Sequence, residues 1–126
     1  MKIIRDFVEH PPFELMLPER IRAPFLIDSP HSGSAYPDAF LRATRLDATA
    51  IRRSEDAFVD ELCAGAVDHG LVLMRAHFPR AYLDVNREAL ELDPKMFTGA
   101  LPRGANTHSP RVIGGLGTIP RIVSER

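Results

Sequence analysis

The chain has 126 residues, 44% hydrophobic and 26% charged, which is enough for one domain with a real core and argues against disorder. Sixteen basic residues against seventeen acidic ones leave a formal charge of −1, so charge makes no case for nucleic acid or an anionic membrane as a partner. The single cysteine, Cys63, excludes an internal disulfide. No apolar run approaches a membrane span or a secretory signal, and a cytoplasmic setting is expected.

Residues 1–22 hold Pro11, Pro12 and Pro18 around Phe13–Leu17 and read as an extended lead-in or edge strand, since proline is poorly tolerated in central strands. Residues 24–28, with Phe25 and Ile27, predict the first buried strand, which Pro30 and Gly33 stop sharply. His31 therefore stands at a strand end, inside the turn Ser29–Pro30–His31–Ser32–Gly33. Pro30 fixes its own φ and restricts Ser29, so the backbone presenting His31 is rigid. Ligands and catalytic groups of open α/β sheets collect outside such strand ends. Residues 38–42 predict a helical turn.

From Asp47 to His69 the pattern changes to helical spacing. Ile51, Phe58, Leu62 and Ala66 recur at helical spacings of seven, four and four residues, Asp47 is an N-cap candidate and Gly70 a C-terminal stop. On such a helix Asp56 and Asp60 share a face, and a solvated acidic face is their ordinary reading. Leu71–Met74 predicts a buried strand and Ala81–Asn86 an alternating one. Residues 93–111 form a long irregular loop. Gly114–Gly117 lacks the spacing of a phosphate loop. Residues 118–123 predict a last strand. The succession implies an α/β layer fold in a single domain spanning 1–126.

Three features then carry chemistry. His31 offers a nitrogen donor, Asp56 a carboxylate, and the segment Arg80 to Arg87 two guanidiniums and the Asn86 carboxamide. Zinc takes nitrogen and carboxylate oxygen, and arginine's planar fork suits a substrate carboxylate or a developing oxyanion. Together they point to metal-assisted hydrolysis of an amide in an acidic small molecule. Structural ion pairing is the competing account of Asp84, Asn86 and Arg87. His69 and His77 read as surface or helix-end residues, His108 stays open as a donor, and Cys63 reads as a core filler.

Three ordered blocks, Ser29–Gly33, Arg53–Leu62 and Arg80–Arg87, resemble the N-formylglutamate amidohydrolase family, and Gly114–Arg121 is similar to its glycine-rich stretch. The resemblance implies a fold like that of zinc carboxypeptidases and aspartoacylases, a mixed sheet flanked by helices. It implies release of formate and glutamate from N-formylglutamate in histidine breakdown, with zinc as cofactor and a small acidic N-acyl amino acid as substrate. By the same resemblance His31 and Asp56 would be zinc ligands, with Glu55 a less suitable neighbour. Arg80 would polarise the scissile carbonyl, and Asn86 and Arg87 would hold a substrate carboxylate. Family members are roughly twice this length, so the chain resembles the N-terminal half of a longer hydrolase domain. A further histidine ligand and a glutamate base would then lie outside it. A non-catalytic carboxylate-binding module, or a structural half completed by a second copy or a partner chain, is the alternative.

Overall fold

Leu71–Met74, the apolar run that follows Gly70, supplies most of the strand on which the sheet is built. In the computed structural model, which describes residues 11–124 and the backbone of residues 2–5, this strand is β4 (Val72–Ala76), and its Leu73 is fully buried. β2 (Phe13–Leu17) lies antiparallel to β4 with Leu15 opposite Met74, and β3 (Leu26–Ser29) lies parallel to it with Ile27 opposite Leu73. β1 (Lys2–Arg5) adds an antiparallel margin beside β2, giving the order β1-β2-β4-β3. The sheet is mixed, as expected for an α/β fold. Residues 1 and 6–10 of the predicted lead-in lie outside the described residues; Lys2–Arg5 forms β1 and Phe13–Leu17 forms β2.

A parallel pair cannot be joined by a hairpin, so β3 and β4 need a crossover. Residues 30–71 provide it through α1 (Asp38–Ala43), a 3-10 turn at Ala50–Ser54, α2 (Val59–Cys63) and a second 3-10 turn at Ala64–Ala66. α3 (Pro110–Ile113) follows later, with Ser109 capping it through its side chain to the Val112 amide. Ile51 and Val67 from the crossover, with Leu73, Leu92 and Val112, make the buried apolar core. Glu14 and Arg75 stand opposite each other on β2 and β4 and form an ion pair, and Arg75 also reaches Asp60 of α2 at 3.0 Å. Asp60 thus ties α2 to the sheet instead of joining Asp56 on a solvated face. Among the described residues no helix is long and apolar enough to cross a membrane.

Four expectations need correction. The predicted helix over 47–69 is broken: Glu55 is extended and Phe58 takes a left-handed φ of 65°. The break has a tertiary cause, because the Asp56 amide bonds the His31 carbonyl at 3.0 Å instead of continuing a helical ladder. Phe58 and Leu62, placed on the apolar stripe, are consequently exposed at 65% and 83%. Residues 81–86 form turns and not a strand, because their polar groups bond across the fold. Residues 118–123 are likewise irregular: Thr118 pairs with Glu88 and Glu91 while the Arg121 and Ile122 amides turn back to the Gly115 carbonyl. Finally, the strand expected to be buried at 24–28 is β3, the outermost strand beside β4, and Phe25 and Leu26 are more than half exposed.

The turn after β3 is clamped onto the turn after β4. Ser29 and Ser32 share a hydroxyl–hydroxyl bond of 2.6 Å, and the Ala35 amide bonds the His77 carbonyl at 2.8 Å. Gly33 sits against the backbone of His77 and Phe78 so closely that a Cβ would overlap it. Gly33→Ala is therefore expected to destabilise the chain by about 2–3 kcal/mol, whereas Gly65→Ala, where a Cβ meets nothing, should be neutral or raise stability by up to about 1 kcal/mol. Urea denaturation midpoints of the two variants check this opposite pair of signs.

Candidate active site

β3 and β4 run parallel and adjacent, so the loops leaving their carboxyl ends lie side by side. His31 follows β3 directly, and Arg80 and Asp84 follow β4. The parallel pairing therefore places in one crevice residues that are 53 positions apart in sequence.

Asp84 is the hub. Its side chain is 2% exposed and accepts bonds on both oxygens. His31 Nε2 at 2.8 Å and the Asn86 amide at 2.9 Å meet Oδ1, while Arg80 Nε at 3.0 Å and Arg87 Nη2 at 3.2 Å meet Oδ2. Burial alone would raise its pKa. The His31 hydrogen bond, the Asn86 amide and the Arg80 charge outweigh burial, and the carboxyl titrates below its ordinary value. An ionised carboxylate only accepts, so His31 Nε2 carries the hydrogen. The other nitrogen, Nδ1, then points towards Asp56 Oδ2 at 3.5 Å.

The broken helix makes that approach possible. Its extended segment lets the Asp56 amide reach the His31 carbonyl, which holds the half-exposed Asp56 side chain beside the ring. The neighbouring Glu55 is otherwise engaged: it accepts from the Tyr36 hydroxyl at 2.5 Å and from Arg52 at 3.0 Å. Burial and the Glu55 bond both push the Tyr36 pKa upward, so its hydroxyl stays a donor.

The segments on either side of the irregular loop 93–111 are tied together. The Asp84 amide bonds the Thr118 carbonyl at 2.9 Å, and Thr118 is itself held by its amide to the Glu91 carbonyl and by its hydroxyl to the Glu88 carbonyl. Glu91 and Asp93 are buried there, with Asp93 paired to Arg121 at 2.8 Å. The result is a cleft of about 320 Å³ whose polar lining includes Arg53, Asp56, Arg80 and Asp84 and whose apolar lining includes Leu116 and Ile122.

Of the expected site residues, His31, Asp56 and Arg80 come together at this cleft. Arg87 lies beside them with its side chain 8% exposed and its nitrogens bonded to the Leu116 carbonyl, the Asn86 carbonyl and Asp84. Asn86 is exposed, and its carboxamide bonds no described residue. From the sequence Asp84 reads only as a partner in structural ion pairs, and it does pair with Arg80 and Arg87; its bond to His31 is what the sequence did not show. The signal of those pairs was the Arg80–Asp84 and Asp84–Arg87 spacing, which suits ion pairs in a turn as well as in a helix. His69 and His108 lie elsewhere, bonded to Gly65 and Thr107.

Two donors facing each other at 3.5 Å fit a cation: zinc bond lengths and tetrahedral angles put two ligand atoms roughly 3.4 Å apart. The hydrogen bond from Nε2 to Asp84 is the support that fixes a ligating imidazole's tautomer. Among the described residues no group of three or more His, Cys, Asp or Glu could hold a metal ion, so the fit extends to a pair of ligands.

A family model described as N-formylglutamate amidohydrolase matches residues 23–126. A crystal structure of N-formylglutamate amidohydrolase from Ralstonia eutropha JMP134 superposes with a TM-score of 0.81 at 35% sequence identity, over 90% of this chain and 39% of that one. The chain thus spans about two-fifths of that protein's length. No curated protein matches the chain.

Asp84→Asn is expected to cost about 3 kcal/mol at neutral pH, since it leaves buried positive partners unpaired. Because the folded carboxyl is depressed, its contribution is complete above the unfolded value of about 3.9 and disappears as pH falls through the lower folded value. Between about pH 4 and 2 the variant should therefore lose less stability than the parent, which urea midpoints measured across that range check.

Proposed function

The chain belongs to the N-formylglutamate amidohydrolase family, and from that membership we propose that it carries the metal-facing and carbonyl-polarising part of a zinc-dependent amide hydrolase. The reaction is N-formyl-L-glutamate plus water to formate plus L-glutamate. Cytoplasmic histidine breakdown is the setting this reaction implies. The observation that supports it most is the arrangement Asp84–His31–Asp56 at a cleft that also receives Arg80.

His31 Nδ1 and Asp56 Oδ2 would hold the metal. Zinc bound there supplies Lewis acidity and an activated water at neutral pH. Asp84 keeps the His31 hydrogen on Nε2 and so keeps Nδ1 available as a donor. Arg80 is anchored through Nε to Asp84, which leaves its terminal nitrogens to meet the amide carbonyl as negative charge develops on oxygen. Asn86 has a free carboxamide for a substrate carboxylate, while Arg87 would have to exchange an internal bond to do the same. The described residues contribute a pair of ligands where catalytic zinc usually has three, so a third donor and a general base would come from outside them.

That incomplete ligand set favours a second reading as well. The chain would be a carboxylate-binding module, or a structural half completed by a second copy or by a separate chain.

Metal analysis of the zinc-reconstituted 126-residue chain, followed by a formate-release assay with N-formyl-L-glutamate, separates these readings. The hydrolase reading expects near one zinc per chain, lost in His31→Ala, and a rate that Arg80→Ala lowers about 100-fold or more with zinc retained. Full zinc in His31→Ala overturns the metal site. Binding of N-formyl-L-glutamate without zinc and without formate release supports the module.

A further inference from the structure

Arg53 is the cleft cation that no internal contact explains. Each other guanidinium near the site has a partner: Arg52 donates to Glu55, Arg80 to Asp84, and Arg87 to two carbonyls and Asp84. Arg53 lines the cleft beside Asp56 and Arg80, is exposed, and makes no hydrogen bond or ion pair to any described residue. Asp47 feels its charge, but that carboxylate is held by the amides of Thr49 and Ala50 and forms no ion pair with it.

The acids around it are accounted for. Glu55 accepts from Tyr36 and Arg52, Asp84 is saturated by its donors, and Asp56 faces His31. When these pairs cancel, a guanidinium unopposed by any described residue remains in the cleft. Its backbone is not loose: Arg53 lies in the 3-10 turn Ala50–Ser54, closed at its end by the Glu55 amide on the Arg52 carbonyl. A planar fork on a held backbone, opening into a cleft with apolar Leu116 and Ile122 in its lining, suits a short aliphatic carboxylate.

We infer that Arg53 binds a carboxylate of the substrate and so sets the preference for an acidic N-acyl amino acid, an inference that rests on the amide-hydrolase reading. Arg87 is then a positioning residue, which holds Asp84 and through it His31. The apolar lining takes the methylene groups between the two carboxylates of the substrate.

Ligand-observed NMR titration of the metal-free chain, in which the probes stay intact, tests the assignment. The probes are N-formyl-L-glutamate and its two monoamides, the α-amide and the γ-amide. The parent chain is expected to disfavour at least one monoamide by about tenfold, and Arg53→Gln should reduce that preference to within about twofold. Arg53→Lys, which keeps the charge and loses the fork, should retain part of it. Circular dichroism melts of both variants confirm that this exposed position leaves the fold intact. If Arg53→Gln keeps the parent's discrimination against the monoamides, another group reads the carboxylate and the inference falls while the hydrolase reading stands. If the parent chain binds none of the probes, the inference falls, and the hydrolase reading is still decided by zinc content and formate release.

Discussion

A carboxylate taken out of water must have every lone pair answered, and Asp84 obliges this protein to bring four donors to one place. Those donors come from the turn after β3 and from the segment that contains Asp84 itself. The parallel pairing of β3 and β4 makes the meeting possible, since it sends both chain segments out at the same end of the sheet. Once made, the cluster fixes the tautomer of His31 and anchors Arg80. Two side chains beside the cleft are thus oriented by one buried carboxylate.

Charge bookkeeping across the cleft explains why so polar a site is tolerated. Glu55, Asp84 and Asp93 each have an arginine of their own, in Arg52, Arg80 with Arg87, and Arg121. Pairs of this kind contribute little net stability against an apolar alternative, but leaving either member alone is costly. The groups outside that matching, Asp56 and Arg53, are the half-exposed acid and the exposed cation of the cleft.

The sequence was most legible where local chemistry decides. The stop at Pro30 and Gly33, the turn presenting His31 and the apolar strand after Gly70 all follow from neighbouring residues, and the α/β class follows from their order. It misled where distant groups compete with local preference. Ile51, Phe58 and Leu62 have helical spacing, yet the Asp56 amide finds a partner in His31 and the helix gives way at Phe58. Tyr82, Asp84 and Asn86 alternate with apolar residues like a strand, yet Asp84 and its neighbours bond the fold elsewhere. The same difficulty hid Asp84: its four donors lie on residues whose convergence only the tertiary structure creates. Thr118 was hidden likewise, since its role depends on carbonyls some thirty positions away.

Thr118 also bears on the order of events during folding. Its carbonyl closes onto Asp84, while its amide and hydroxyl close onto Glu91 and Glu88. The cleft therefore needs two non-local closures, His31 to Asp84 and Asp84 to Thr118, on top of the strand pairing. Loop-closure entropy must be overcome before such contacts reward the chain, which places their assembly late. A nascent chain emerging as far as Asn86 would already contain His31, Asp56, Arg80 and Asp84 but would lack the carbonyl that completes their support. The support of the His31–Asp84 pair is in this sense a product of a segment that arrives some thirty residues later.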